Sequence, residues 1–325
     1  MYFVRISDEM VIWEHEYKSD KKEWTKPIQH KIPFWNNPIT IIDARKNKDK
    51  VCFMRQSTES YHTEIMKSNI QKTFRRNMVT QCLSTTQQLL RQDTNEALRR
   101  LPVIMLEDGQ LHHESYSLVV WLMAAHSKGY RLQQKDEQLI LSAVATSLSS
   151  TNRYSLHIES NNDISKHGYS IVLRSIFGGM KGDTDFLLRL AKRVDQLDTL
   201  PEWVQEPAFP SFSVEQIIPE AIDFHCCPSI IDFCKEKTNM TKELIHEAIW
   251  WNWSSVTDRE IVEDIEENNR QEKQCMVTKS NAMRLYSLFN MYAESKIKWM
   301  YSQKKKVLVQ ARLPAAFTKS GIQNI

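Results

Sequence analysis

Residues 65–90 read IMKSNIQKTFRRNMVTQCLSTTQQLL. The apolar members Ile65, Ile70, Phe74, Cys82, Leu83, Leu89 and Leu90 recur at helical intervals rather than in alternation. The pattern predicts a long helix or a helical pair. It sets the expected fold class: mainly α, a multi-helix bundle, with a small β-rich module ahead of it. Glycine points the same way, because only 7 of 325 residues are Gly, about 2 % against roughly 7 % in an average chain. Such scarcity disfavours folds that need many turns at positive φ, which sets aside propellers, multi-hairpin sandwiches and doubly wound nucleotide-binding sheets.

Downstream of this stretch, helical periodicity predicts further helices near residues 114–127, 135–149, 184–197, 241–253 and 278–303. The last should bury Met283, Tyr286, Leu288, Phe289, Tyr292, Ile297 and Met300. Upstream, short β-favouring runs at 2–6, 10–13, 39–42 and 51–54 are broken by Pro27, Pro33 and Pro38, and the basic tract 45–50 suits a solvated hairpin tip. Pro201, Pro207, Pro210 and Pro219 make 199–219 an extended strap. The expected division is therefore a β-rich module at 1–60, a helical region at 61–198, the strap at 199–219 and a second helical subdomain at 220–325.

Composition bounds the environment more than the activity. The 43 Lys plus Arg stand against 40 Asp plus Glu, a net charge of +3, so only the distribution of charge can point to a polyanionic partner. The apolar run 117–125 is far shorter than the 18 or more residues of a membrane span, and Arg5, Asp8 and Glu9 lie where a signal peptide is apolar. The expectation is an intracellular protein of nucleus or cytoplasm, neither membrane-bound nor secreted. Six cysteines, three of them within residues 226–234, suit reduced thiols rather than a disulfide framework.

One segment carries a family resemblance. It runs from Ile70-Gln71-Lys72-Thr73-Phe74-Arg75-Arg76-Asn77, through Leu98-Arg99-Arg100-Leu101-Pro102, to Glu107-Asp108-Gly109-Gln110-Leu111. The segment, within residues 61–111, resembles the start of the C-terminal helical region of the replication-associated recombination protein A family. These AAA+ proteins are also called MgsA and, in eukaryotes, Werner helicase-interacting protein. Lys72, Arg75, Arg99, Arg100, Leu101, Glu107, Asp108 and Leu111 occupy the places of the family pattern. The chain departs from it at Pro102 and at Gly109-Gln110, and it has no G-x-x-x-x-G-K-[ST] phosphate loop. The resemblance implies a collar-like piece without its motor: a non-enzymatic accessory or scaffold of DNA replication, recombination or repair. Its partners would be copies of itself or a replication complex.

Charge within this segment has two readings. Between Lys67 and Arg100, Lys67, Lys72, Arg75, Arg76, Arg91, Arg99 and Arg100 stand against only Asp93 and Glu96. Lys67, Lys72, Arg75, Arg76 and Arg91 are the candidates for a DNA- or partner-binding face, where each phosphate contact adds salt-sensitive affinity. Arg99 and Arg100 with Glu107 and Asp108 are the candidates for structural ion pairs inside the helices.

Two other clusters have chemical potential. Gly178-Gly179-Met180-Lys181-Gly182-Asp183 opens a predicted helix and is either a phosphate-facing helix start or a plain turn. His225, Cys227, Cys234 and His246 are a donor set that zinc would select, with adjacent Cys226 and Cys227 an awkward spacing and buried free cysteine the bland alternative. Otherwise no cofactor is expected. Trp250, Trp251 and Trp253 precede an acidic run at 258–267, which suits core packing or a protein contact better than base stacking. The alternatives to a DNA scaffold are a structural or assembly protein, including a viral one, and less favourably a hydrolase or nuclease.

Overall fold

The computed structural model describes residues 1–18, 24–28, 38–45, 52–148, 164–179, 181–194, 203–204, 207, 210–222, 228–248, 283–285 and 287–299. They are mostly helical, with one small sheet near the N-terminus. The described residues divide into two compact units, the first spanning Met1–Phe212 and the second lying within 213–299.

In the first unit four strands, β1 (Tyr2–Arg5), β2 (Val11–Glu14), β3 (Trp24–Ile28) and β4 (Ile39–Asp43), form a sheet in the order β2-β1-β4-β3. β1 and β4 run parallel, while β2 and β3 flank them antiparallel. β3 was not expected, because Pro27 reads as a breaker. It is tolerated because β3 is an edge strand, where a missing N–H breaks no inner ladder. The run expected at 51–54 contributes only an isolated bridge, Phe53 to Gln133.

Among the described residues seven helices follow: α1 (Thr63–Arg75), α2 (Val79–Gln92), α3 (Thr94–Asp108), α4 (His113–His126), α5 (Gln134–Leu148), α6 (Lys166–Ile176) and α7 (Lys181–Ala191). The opening stretch is a helical pair rather than one helix. Asn77 takes φ 53°, Met78 N–H reaches the Thr73 carbonyl at 2.8 Å and Asn77 N–H the Phe74 carbonyl at 3.0 Å. These bonds make a Schellman end with asparagine, one of the few non-glycine residues that tolerates it, in the left-handed position. α3 contains Pro102 and was not anticipated as a helix, though Asp93 caps it by accepting from Glu96 N–H at 3.1 Å.

α4 is apolar all round from Leu118 to Ala125 and is the central element. It contacts β1, β2 and β4 on one side and α3, α5 and α6 on others. Trp121, fully buried, donates from its indole N–H to the Phe3 carbonyl at 3.1 Å, and Trp13 donates to Ser170 Oγ at 3.0 Å. Phe3, Trp13, Ile39 and Ile41 thus belong to the same core as the helices. The described strands thus share one core with the helices, and the division between units falls at 212, inside the proline-rich segment.

The second unit contains two 3-10 turns (Val214–Gln216 and Pro219–Ala221), α8 (Pro228–Lys237), α9 (Lys242–Ala248) and helical backbone over 283–285 and 287–299. Leu285, Phe289 and Ala293 form the buried stripe of that last segment. Met283, expected to be buried, is exposed because it lies off this i, i+4, i+8 line. Tyr286 and Met300 lie outside the residues whose side chains are described, as does the segment 249–282.

Candidate functional site

Charged side chains in the first unit gather in two seams. The first joins α1, α2 and α3 to their neighbours and takes up most of the basic residues proposed as a binding face. Arg75 grips Asp108 through two bonds, Nε to Oδ1 at 2.8 Å and Nη2 to Oδ2 at 3.2 Å, with side chains only 6 % and 1 % exposed. Lys67 Nζ lies 2.8 Å from both Glu64 and Glu96. Burial works against the Lys67 charge, but hydrogen bonds to Glu64 and Glu96 outweigh it and hold the ammonium above its ordinary pKa. The same bond holds Glu96 below the ordinary carboxylate range. Arg91 pairs with Glu137 of α5 at 2.6 Å. Lys72 and Arg76 are half-buried, Arg76 at the C-cap of α1.

The four residues expected to pair with one another do so only in part. Arg100 lies 3.9 Å from Glu107 and donates more closely, at 2.6 Å, to Gln71 Oε1. Gln71 in turn donates to Glu107 and Asp108, each at 3.3 Å. Asp108 is held by Arg75. Arg99 instead donates to the Phe177 carbonyl at 2.8 Å, while its own carbonyl accepts from Arg174 Nε at 2.9 Å, which ties α3 to the end of α6. Gly109 closes this seam, for a Cβ there would stand 2.7 Å from the Phe74 ring.

The glycine cluster is held by the same arginines. Gly178 has φ +80° and its carbonyl accepts from Arg174 Nη1 at 2.8 Å, just ahead of α7. Guanidinium groups thus engage the Phe177 and Gly178 carbonyls.

The second seam was not anticipated. It clamps the sheet to the start of α5. Arg5 on β1 and Asp136 in the first turn of α5 are both 0 % exposed, with Arg5 Nη1 2.7 Å from Asp136 Oδ1. The N–H direction misses Oδ1, and Asp136 is hydrogen-bonded through Oδ2, which accepts from Tyr130 Oη at 2.9 Å and from Gln133 N–H at 2.8 Å. Tyr130 Oη accepts from Arg45 Nη2 at 2.8 Å, and Arg45 also pairs with Asp43 at 2.9 Å and Asp8 at 2.7 Å. Burial first, then the Asp136 carboxylate, keeps the Tyr130 phenol protonated well above its ordinary range. Arg45, expected at a solvated tip, is therefore buried, and 46–50 lie outside the described residues. The only sequence signals were one Arg inside an apolar strand and one Asp at a helix start. Their pairing across more than a hundred residues leaves no local trace.

The proposed metal donors are only partly described. Cys234 is buried on α8, where desolvation pushes its thiol up to about 11, while His246 on α9 is exposed. His225 and Cys227 lie outside the described residues, as do Trp250, Trp251, Trp253 and the acidic run. Among the described residues no three His, Cys, Asp or Glu side chains are grouped to hold a metal ion, and no helix is long and apolar enough to cross a membrane. No protein-family model, no curated protein and no solved structure matches the chain.

Proposed function

We propose that the chain is a non-enzymatic accessory or scaffold protein of DNA replication, recombination or repair. In this reading a multi-helix bundle self-associates or docks into a replication complex inside the cell. The observation that carries it is the fate of the opening stretch. Its Lys67 and Arg75, with Arg91 and Arg100 just beyond it, pair with carboxylates that lie outside the stretch, across α1, α2, α3 and α5. Charge used in this way fixes the geometry of a rigid block more than it adds stability. That suits a collar-like assembly element, as the resemblance in 61–111 implies, better than a reactive cleft.

The same pairing relocates nucleic-acid contact. Lys67, Arg75 and Arg91 are engaged by carboxylates, so a strand reaching α1 and α2 would have to displace them. A second reading, an assembly protein with no nucleic-acid role, draws on this observation. Light scattering on the purified chain tests the first half of the proposal: a mass of two or more copies supports the scaffold, and a monomer at micromolar concentration counts against it. Binding of labelled DNA at low salt separates the two readings.

A further inference from the structure

Residues 52–55 run antiparallel to residues 131–134. Met54 N–H reaches the Leu132 carbonyl at 3.0 Å and Gln134 N–H the Cys52 carbonyl at 2.8 Å, on either side of the Phe53–Gln133 bridge. Side chains alternate along paired extended segments. Met54 and Leu132 are accordingly buried, whereas Phe53 is 43 % exposed and Arg55 and Arg131 are exposed as well. In this register Arg55 comes opposite Arg131, and the Arg131 guanidinium carbon stands 4.0 Å from the centre of the Phe53 ring.

This strip differs from the α1–α3 seam in being uncompensated. Among the described residues neither Arg55 nor Arg131 has a carboxylate partner, and Lys128, in the turn that leads to Arg131, has none either. The two acids that follow in the chain are turned inward: Asp136 to Arg5, and Glu137 to Arg91. Like charges placed opposite one another on paired strands destabilise the pairing, and an exposed phenyl ring keeps apolar surface in water. A ligand that brings regularly spaced anions together with flat apolar rings offsets both effects.

We propose that this strip binds single-stranded nucleic acid, with a base stacked on the open side of Phe53 and neighbouring phosphates on Arg55 and Arg131. An arginine packed on an aromatic ring beside further cations is the arrangement that stacks bases without reading sequence. In a duplex the base faces are already stacked, so single strands are preferred. An acidic peptide matches the charge but not the ring. The inference rests on the nucleic-acid half of the proposed function and names its strand type and contact site.

The test is fluorescence anisotropy of labelled oligo(dT) and of a duplex of equal length, with the full chain at low salt. The wild type is expected to bind oligo(dT) more tightly than the duplex. Phe53→Ala is expected to weaken that binding by roughly fivefold or more, the lower end of one lost base stack. Phe53→Trp should retain it, and Lys166→Ala, at the exposed first position of α6, should leave it unchanged. If the wild type binds but Phe53→Ala and Arg131→Ala bind equally well, the strip is overturned and the parent reading survives. Competition by polyglutamate as effective as that by unlabelled oligo(dT) also overturns it, in favour of an acidic peptide. No binding to either oligonucleotide removes both.

Discussion

Two arginine-bearing regions of the first unit behave oppositely in the structure. On the α1–α3 seam Arg75 is 6 % exposed and holds a 1 % exposed Asp108 in two hydrogen bonds. On the strip formed by 52–55 and 131–134, Arg131 is exposed, lies on a phenyl ring and has no carboxylate partner among the described residues. A local excess of Lys and Arg says little about which of them water or a phosphate can reach. The supply of long-range carboxylates decides that.

The comparison is broken most severely by removing one half of a buried pair. Asp136→Ala leaves Arg5 fully buried without its counter-ion and should destabilise the chain by about 3–5 kcal/mol, read as a lower midpoint in urea. Arg75→Ala should act in the same direction, because it takes from the buried Asp108 its guanidinium partner. The double change Arg75→Met with Asp108→Leu is expected to recover most of that loss, because replacing both charges by apolar groups of similar size is often neutral. If Arg75→Ala unfolds at the wild-type midpoint, the seam is not structural.

Backbone strain gives a smaller effect. Asn77 sits at φ 53° in the Schellman end between α1 and α2. Asn77→Ala should cost about 1–2 kcal/mol, while Asn77→Gly should be neutral or slightly stabilising in the same urea titration. Equal effects of the two changes would argue against the left-handed turn. On the strip the sign reverses: Arg55→Ala should leave stability within about 0.5 kcal/mol or raise it, since it removes one of two opposed like charges.

The smallest expected effect is on pH dependence. His112 caps α4 by accepting from Ser115 N–H through Nδ1 at 3.3 Å, and burial holds its pKa below the ordinary value despite Glu114. The unfolded chain then binds the proton more readily than the folded one. Stability is present above the unfolded pKa and is lost as pH falls through the folded pKa. Melts between pH 7.5 and 5.5 should show the loss, and His112→Asn, which also caps, should show less of it. An identical pH response in both would remove His112 as the cause.

What could be read from the sequence follows the range of the interactions. α4 and α5 were placed within a residue or two, because apolar periodicity is local information. β3 and α3 escaped notice because Pro27 and Pro102 are local breakers. Their tolerance depends on an edge position in one case and on burial of Leu98, Leu101, Val103 and Ile104 around the proline in the other. Arg5 with Asp136, Arg75 with Asp108, and Arg55 opposite Arg131 are non-local pairs. No spacing along the chain announces them, so only the short-range Arg100–Glu107 pair of the first seam was legible, not the long-range closures or the open strip.

The central claim, that nucleic acid meets this protein at the open strip and not at the α1–α3 seam, is tested most directly by the salt dependence of oligo(dT) affinity. For single strands each lost phosphate contact should reduce the slope of log K against log salt by about 0.7. Arg131→Ala is predicted to show that reduction and Lys67→Ala to keep the wild-type slope. The reverse, a reduced slope for Lys67→Ala and an unchanged one for Arg131→Ala, would contradict the account.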